Sequence, residues 1–450
     1  MNKKLIAVAV AGTFLAPAAA LAQSSVTISG KLMASFGSYH LGNRAAAGVG
    51  RSSEDFVRDE SSRIIFSVRE DLGGGLAAIG KFDIRPSLAD NGATGNTGES
   101  FVGLTSPAWG TIAMGRFDFH YGSHGSHTGT HGGLLSNPTA LFDVAGAGSA
   151  GVAGQTRTNN AIRYGSPKFG NMFEVVLGYS ANPTTASTTP AIIVGASSTG
   201  AAATAAGTAN TTGSLATFAN QNESDLRSTQ RKGNAWNIAP KIWGKNWEAG
   251  YSYWVAKPDL ALTTNVTLAN NAVPTPTFTA FGPTTVNKQR GDSLYGTYKW
   301  GGLRVGLAWN RSKIETTNIT AGAITIAGQA GVASGATVTS SNRDVWGLPI
   351  SYNWGNHTVY GDFYRARNDK ATGFAGLDTK ASFFGMTYAY DLSKRTTAAV
   401  SYSRIKNGAN AAYNLFAASA PGGSAANGNQ HGVAAGEDPR FLAVTLQHRY

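Results

Sequence analysis

Four of the chain's eight histidines, His120, His124, His127 and His131, stand close together among glycine, serine and threonine. Their spacing of four, three and four would put them on one face of a helix. Two histidines one helical turn apart can share a zinc ion. The neighbours argue against that chemistry. Gly122, Gly125, Gly129, Gly132 and Gly133 interrupt the stretch, each disfavouring a helix by up to about 1 kcal/mol relative to alanine. No nearby run of acids or cysteines completes a ligand set, so no metal is expected. Polar loop residues without a distinct role remain open. Gly146-Ala-Gly-Ser-Ala-Gly151 spells G-x-G-x-x-G, but a dinucleotide site needs that spelling between a strand and a helix, and the surroundings supply neither. The chain has no G-x-S-x-G, no H-E-x-x-H and no EF-hand loop. No catalytic residue and no cofactor are expected, and what these side chains do depends on the elements that hold them.

The N-terminus bears on the compartment. Met1-Asn-Lys-Lys4 is basic, Leu5 to Leu15 is almost wholly apolar, and Ala20-Leu-Ala22 is an A-x-A site. The expectation is a secretory signal over 1–22, cleaved to leave Gln23. Of the formal charge of +12, Lys3 and Lys4 leave with that segment, giving 12 − 2 = +10. Cysteine is absent, so an exported chain of this kind is stabilised without disulfides. Beyond the signal, no apolar run approaches the ~20 residues of a membrane helix. A membrane form would have to be a barrel. The basic excess contains no lysine or arginine run. Nucleic acid is not an expected partner, which leaves anionic lipid headgroups or small anionic solutes.

The commonest pattern along the chain is alternation with period two. Val26, Ile28, Leu32 and Phe36 oppose Thr27, Ser29, Lys31 and Ser35; Phe82 and Ile84 oppose Lys81, Asp83 and Arg85; Ile162 and Tyr164 oppose Arg163. Short turns near 71–75, 106–110, 169–171, 244–246, 300–302, 354–356 and 391–395 alternate with long polar segments near 39–60, 119–157, 182–230, 258–288, 315–341 and 408–438. Short turns at one end and long loops at the other distinguish a transmembrane barrel from a soluble sandwich. About 16 strands fit between these connections, near 25–38, 61–71, 76–87, 98–106, 111–118, 158–168, 171–181, 232–243, 246–257, 290–300, 303–314, 342–354, 357–367, 379–391, 396–407 and 439–450. The fold expected for 23–450 is therefore all-β, a 16-stranded antiparallel transmembrane β-barrel, with the apolar face toward lipid and the polar face toward the lumen. Trp236, Trp243, Trp247, Trp254, Trp300, Trp354, Tyr388 and Tyr390 fall near strand ends, as interfacial girdles do. The alanine-, threonine- and serine-rich stretch 182–230 reads as a surface loop.

Several phrases stand in a telling order: Glu70-Asp-Leu-Gly-Gly-Gly-Leu76, Phe101-Val-Gly-Leu104 with Gly110-Thr-Ile-Ala-Met-Gly-Arg116, Asn160-Ala-Ile-Arg-Tyr164 with Ser166-Pro167, and Leu392-Ser-Lys-Arg-Thr396. With an aromatic C-terminus they resemble the general trimeric porins of Gram-negative bacteria, of the betaproteobacterial type, from residue 25 to 450. The resemblance implies a homotrimer in the outer membrane, a water-filled channel for small hydrophilic solutes and ions, and a third long loop, here 119–157, folded inward to narrow the pore. It implies that Arg63 is a basic wall residue facing that loop. Strand parity adds Lys31, Lys81, Arg85 and Arg163. Two departures stand out. Gly98-Glu99-Ser100 occupies the place where the family commonly has an arginine, so one positive contributor is absent and an acid stands nearby. The chain ends in Tyr450 rather than phenylalanine, an aromatic still suited to the barrel-assembly machinery.

A channel of this kind works by sieving and electrostatics. Positive charge lowers the barrier for anions and raises it for cations, and a narrow lumen concentrates that field. The third loop carries few acids, Asp118 at its base and Asp143, against the basic wall. A preference for anions is expected. Basic residues acting only as solvated surface or as lipopolysaccharide contacts is the plainer alternative. Histidines in a watery constriction titrate near pH ~6.5, so His120, His124, His127 and His131 could act as a pH sensor. A channel tuned to phosphate or organic anions, or a surface adhesin built on a barrel, stays open as an alternative.

Overall fold

The computed structural model describes residues 24–43, 53–60, 62–89, 98–119, 158–181, 234–257, 260–262, 284–317, 340–368, 370, 376–411, 413, 415, 433 and 436–450. Its eighteen strand segments form one antiparallel sheet. They are β1 (Ser25–Gly42), β2 (Ser53–Asp59), β3 (Arg63–Gly73), β4 (Leu76–Ile84), β5 (Ser100–Ser106), β6 (Gly110–Phe117), β7 (Thr158–Gly165), β8 (Phe173–Ser180) and β9 (Asn234–Trp243), then β10 (Trp247–Lys257), β11 (Leu260–Leu262), β12 (Thr284–Trp300), β13 (Leu303–Thr317), β14 (Ser340–Trp354), β15 (His357–Ala366), β16 (Ala381–Asp391), β17 (Thr396–Asn407) and β18 (Asp438–Arg449). β2 and β3 pair with successive parts of β1, and β11 continues β10 along β12. Counted as passes across the barrel, the segments make 16 strands.

The sheet closes on itself where Lys31–Gly42 of β1 pairs with Asp438–Arg449 of β18. Closure satisfies the ladder groups that an open edge would leave bare in hydrocarbon. Tyr450 reinforces the seam. Its backbone exchanges hydrogen bonds with Gly30, and its phenol donates to the Arg63 carbonyl at 3.2 Å.

Side-chain alternation sorts the two faces. In β1 the odd positions from Lys31 to Leu41 are buried toward the interior, while Val26, Ile28, Leu32 and Phe36 are exposed on the outside. The same holds at the other end of the chain, where Leu442, Val444 and Leu446 face out and Phe441, Ala443, Thr445 and Gln447 face in. An outward apolar band is what lipid requires, because burying polar side chains there is costly. Outward aromatics crowd the short-turn end: Trp247, Trp300, Trp354, Tyr298, Tyr352, Tyr388 and Tyr390. Two tryptophans expected in the girdles are not there. Trp254 is 1% exposed and lies on the lumenal side with Asn237 opposite. Trp243 shares that inward parity, opposite Glu248. Position near a strand end did not decide their orientation; parity did.

The expected loop 39–60 is also corrected. β1 runs to Gly42 and β2 begins at Ser53, so both ends of that stretch are strand. Between β2 and β3 the chain breaks step over 60–62. The Met33 carbonyl accepts from the Glu60 N–H at 2.9 Å, the Met33 N–H donates to Ser62 Oγ at 3.0 Å, and the Ser62 N–H donates to Asp59 Oδ2 at 3.1 Å. The break resets parity, as a bulge does. Even residues Phe56 and Arg58 face inward before it, opposite Gly37 and Ser35, and odd residues such as Arg63 face inward after it, opposite Lys31.

The lumen is not uniformly polar, contrary to the expectation from alternation. Tyr39, Tyr364, Phe383, Ile405 and Phe441 form an inward apolar wall, and Tyr413 and Leu415 of the last long connection pack against it. Asn407 holds that connection in place. Its amide donates to the Tyr413 and Glu437 carbonyls at 3.0 and 2.6 Å, and its Oδ1 accepts from the Tyr413 N–H at 3.1 Å. Arg343, 1% exposed, stacks on the Tyr413 ring at 5.5 Å. Burial of an aromatic and an arginine together needs this kind of mutual cover.

Glycine makes room for these inward rings. Gly347 pairs with Tyr364 across β14 and β15, and a Cβ there would overlap the ring. We predict that Gly347→Ala lowers the urea midpoint of the refolded barrel by the equivalent of about 1–3 kcal/mol, the usual cost of overpacking. Gly361→Ala, where a Cβ meets open space, is the control and should leave the midpoint within error.

Candidate functional site: the basic lumenal wall

The first seven segments place cations side by side on the inner face. Lys31 of β1 stands opposite Arg63 of β3. Lys81 of β4 stands opposite Ser67, and Arg163 of β7 lies opposite Ala113 of β6. Arg85 follows β4 with the same parity. Arg58, just before the parity reset, adds a sixth cation that parity alone assigned to a loop.

Three inward carboxylates answer these charges, and they define how the wall is built. Glu60 accepts from Ser35 Oγ at 2.6 Å and stands 3.7 Å from Arg58, while Lys31 Nζ donates to its carbonyl at 3.2 Å. Asp83 holds Arg85 in a two-pronged contact, both prongs 2.9 Å. Such fork-to-carboxylate geometry fixes direction as well as charge. Glu99 joins three parts of the wall: Lys81 Nζ at 2.8 Å, Arg163 Nη1 at 3.1 Å and the Asp118 N–H at 3.2 Å. Six cations against these three acids and Asp118 leaves 6 − 4 = +2 on this arc. The acids also hold the cations in fixed positions on the wall, where a field acting on a passing ion has to originate.

Aromatic rings support the same arc from behind and from the side. Arg163 lies over the Phe117 ring at 4.4 Å and the Phe101 ring at 5.3 Å. Phe117 stacks on Phe119 at 5.8 Å, and Phe119 meets Trp254 at 6.3 Å. Phe119 occupies the space above Gly178, where a side chain would collide with its ring. The chain thus turns inward as it leaves β6. Of the third long loop, 119–157, only Phe119 belongs to the described residues, with Asp118 at its base. Asp143 and the histidines His120, His124, His127 and His131 lie outside them. Among the described residues, no group of three or more histidine, cysteine, aspartate or glutamate side chains is placed to hold a metal ion.

The site list drawn from sequence contained Lys31, Arg63, Lys81, Arg85, Arg163 and Asp118, and the structure brings the five cations to one continuous arc of wall. It lacked Arg58, Glu60, Asp83 and Glu99. Asp83 shares the parity of Lys81 and was readable from the alternation. Glu99 stood out at the place where the family commonly has an arginine, but its partners lie 18 and 64 positions away in sequence, so its bracing role was not legible.

The family model described as Gram-negative porin matches residues 7–410. Among solved structures the chain is similar to an anion-selective porin from Comamonas acidovorans, with 17% identity, a TM-score of 0.57, and 95% of this chain and 100% of that one covered. It is also similar to the trimer form of OmpT from Vibrio cholerae, with 12% identity, a TM-score of 0.56 and coverage of 95% and 99%. The outer membrane channel DcaP of Acinetobacter baumannii gives 11% identity, a TM-score of 0.50 and coverage of 95% and 97%. At these identities the likeness is one of fold. No curated protein sequence matches the chain.

Glu99→Gln tests the electrostatic role of the wall. It removes one negative charge and loosens Lys81 and Arg163. For an ion passing at about 7 Å through a medium of effective dielectric about 45, one unit charge is worth about 1 kcal/mol. Chloride and potassium shift in opposite directions, so we predict a rise of up to about thirtyfold in the chloride-to-potassium permeability ratio, read as a shifted reversal potential in a planar bilayer.

Proposed function

Because the chain belongs to the Gram-negative porin family, an outer-membrane channel family, we propose that it conducts small hydrophilic solutes passively with a preference for anions. The net positive arc carries this proposal: Arg58, Lys31, Arg63, Lys81, Arg85 and Arg163 against Glu60, Asp83, Glu99 and Asp118. Fixed positive charge on a confined wall attracts anions and repels cations before any contact is made. The name of the Comamonas acidovorans porin, anion-selective, is consistent with it. Sieving and field suffice for such a conduit, and no step of it breaks a bond.

The rest of the proposal concerns assembly and control. Residues 1–22 are a cleaved export signal, and 23–450 is the barrel. The functional unit is a homotrimer, in line with the trimer form of its structural relative OmpT. Tyr450 serves the barrel-assembly machinery, and outer-membrane lipid and lipopolysaccharide surround the barrel. The segment 119–157 narrows the pore, with Asp118 and Asp143 as its acids, and 182–230 is a surface loop. His120, His124, His127 and His131 add positive charge to the constriction when protonated.

The zero-current potential of the purified protein under a KCl gradient tests the charge assignment. Near pH 8 its sign should show chloride preference. Near pH 5 the preference should grow, because histidine protonates around pH ~6.5 and up to four positive charges are gained. A cation-selective potential would overturn the anion preference, and an unchanged potential in acid would remove the histidines from the mechanism.

A further inference from the structure

A second group of cations lies inside the barrel, away from the basic arc, at the short-turn end of β8–β13. Its centre is Glu248 of β10, which accepts from Arg304 Nη2 at 3.1 Å and from Thr297 Oγ1 at 3.4 Å and stands 3.2 Å from Lys241 Nζ. Parity puts these groups in the lumen. Glu248 shares the face of the buried Ser252 and Trp254. Trp243 stands opposite it, and Lys241 is two residues from Trp243 on the same face. Thr297, opposite Glu248, marks the inward face of β12; Lys299 follows with the same parity, opposite Arg304 of β13. The ladder rows give the depth. Arg163 stands opposite Gly178, and Gly178 opposite Asn237. Lys241 lies two inward positions past Asn237, about 13 Å further along the strand toward the short turns. The group therefore lies on the short-turn side of the row that holds Arg163.

Trp243 explains how the charge is kept. Lys168 Nζ lies 5.8 Å and Lys241 Nζ 6.0 Å from the centre of its ring. A carboxylate cancels the charge that it holds, whereas a ring face attracts an ammonium and leaves its charge intact. Lys168, in the turn after β7, and Lys299 are exposed, and neither forms an ion pair among the described residues. The inward acids of β8–β13 among the described residues are Glu248 and Glu174, the latter opposite Lys241. Lys168, Lys241, Lys299 and Arg304 against these two acids leaves 4 − 2 = +2 at this end of the lumen.

We propose that Lys168, Lys241, Lys299 and Arg304 form a second anion-collecting station at the periplasmic mouth of the channel. Short turns face the periplasm in barrels of this kind. At a mouth open to bulk water, fixed charge acts through supply: it raises the local concentration of the ion about to enter. Salt screens this effect. Two unit charges about 10 Å from the ion path in water change the local chloride concentration about 1.7-fold at about 0.1 M salt, and only about 1.1-fold at about 1 M. The basic arc sets the sign of the selectivity, and the station sets how readily anions reach the arc from the periplasmic side. The proposal rests on the anion preference proposed above and assigns a share of it to residues outside the arc.

The test is the single-channel current of the full protein in planar bilayers, with the zero-current potential recorded in the same membranes. The variant Lys168→Gln/Lys299→Gln changes two exposed side chains and takes the station from +2 to 2 − 2 = 0. At about 0.1 M KCl, the current carried by chloride entering through the short-turn mouth should fall about 1.7-fold, and at about 1 M it should match the wild type. The opposite polarity should change less. Glu248→Gln, which removes an acid from the station, should raise the same current at low salt. A wild-type protein without chloride preference would overturn both the station and the reading beneath it. Chloride preference in the wild type, with unchanged low-salt currents in both variants, would overturn the station alone. An equal loss at both salt concentrations would mean an altered pore shape rather than lost supply, and would overturn the station as well.

Discussion

The structure depends on one constraint. A backbone inside hydrocarbon has no water to bond, so every N–H and C=O of a membrane-spanning strand needs a partner from the neighbouring strand. This chain meets the constraint by closing its sheet through β1 and β18, with Tyr450 bonded back to Gly30 and Arg63 across the seam. Closure dictates that each strand has one face outside and one inside. Once that is set, the period-two geometry of a strand turns sequence parity into location, and the same alternation yields the lipid band and the basic arc.

The interior shows what a barrel does with the face that lipid does not claim. One side carries fixed cations braced by Glu60, Asp83 and Glu99. Another carries Tyr39, Tyr364, Phe383 and Phe441, covered by the last long connection through Tyr413 and Leu415. The acids reduce the net charge of the basic arc, but they also give each cation a defined place. A freely moving lysine would spread its field, whereas Arg85 gripped by both oxygens of Asp83 cannot. The apolar side narrows the space and carries Arg343, stacked on Tyr413.

Much of this was legible in the sequence, for a physical reason. Alternation is local, and turns are written in residues such as Gly301 and Gly355, whose backbones adopt positive φ at the short-turn end. Hence strands such as 303–314 and 357–367 were readable to within a few residues of Leu303–Thr317 and His357–Ala366. The features that escaped depend on distant partners. The parity reset at 60–62 is held by Met33, nearly thirty residues earlier. Arg58 was hidden behind it in a presumed loop. Trp254 looked like a girdle residue from its place in the chain, and only its pairing with Asn237 shows that it faces inward. The inward course of the last connection rests on Asn407, whose bonds join residues that the sequence keeps far apart.

The most direct test of the central claim, that parity around a closed sheet assigns each side chain to water or to lipid, exploits the absence of native cysteine. Single variants Lys81→Cys, Phe82→Cys, Asp83→Cys and Ile84→Cys on β4 would be incorporated in planar bilayers and exposed to a charged, membrane-impermeant thiol reagent. The account predicts a stepwise change in current for Lys81→Cys and Asp83→Cys, and none for Phe82→Cys or Ile84→Cys. Reaction at Phe82→Cys and Ile84→Cys, or the same response at all four positions, would contradict it.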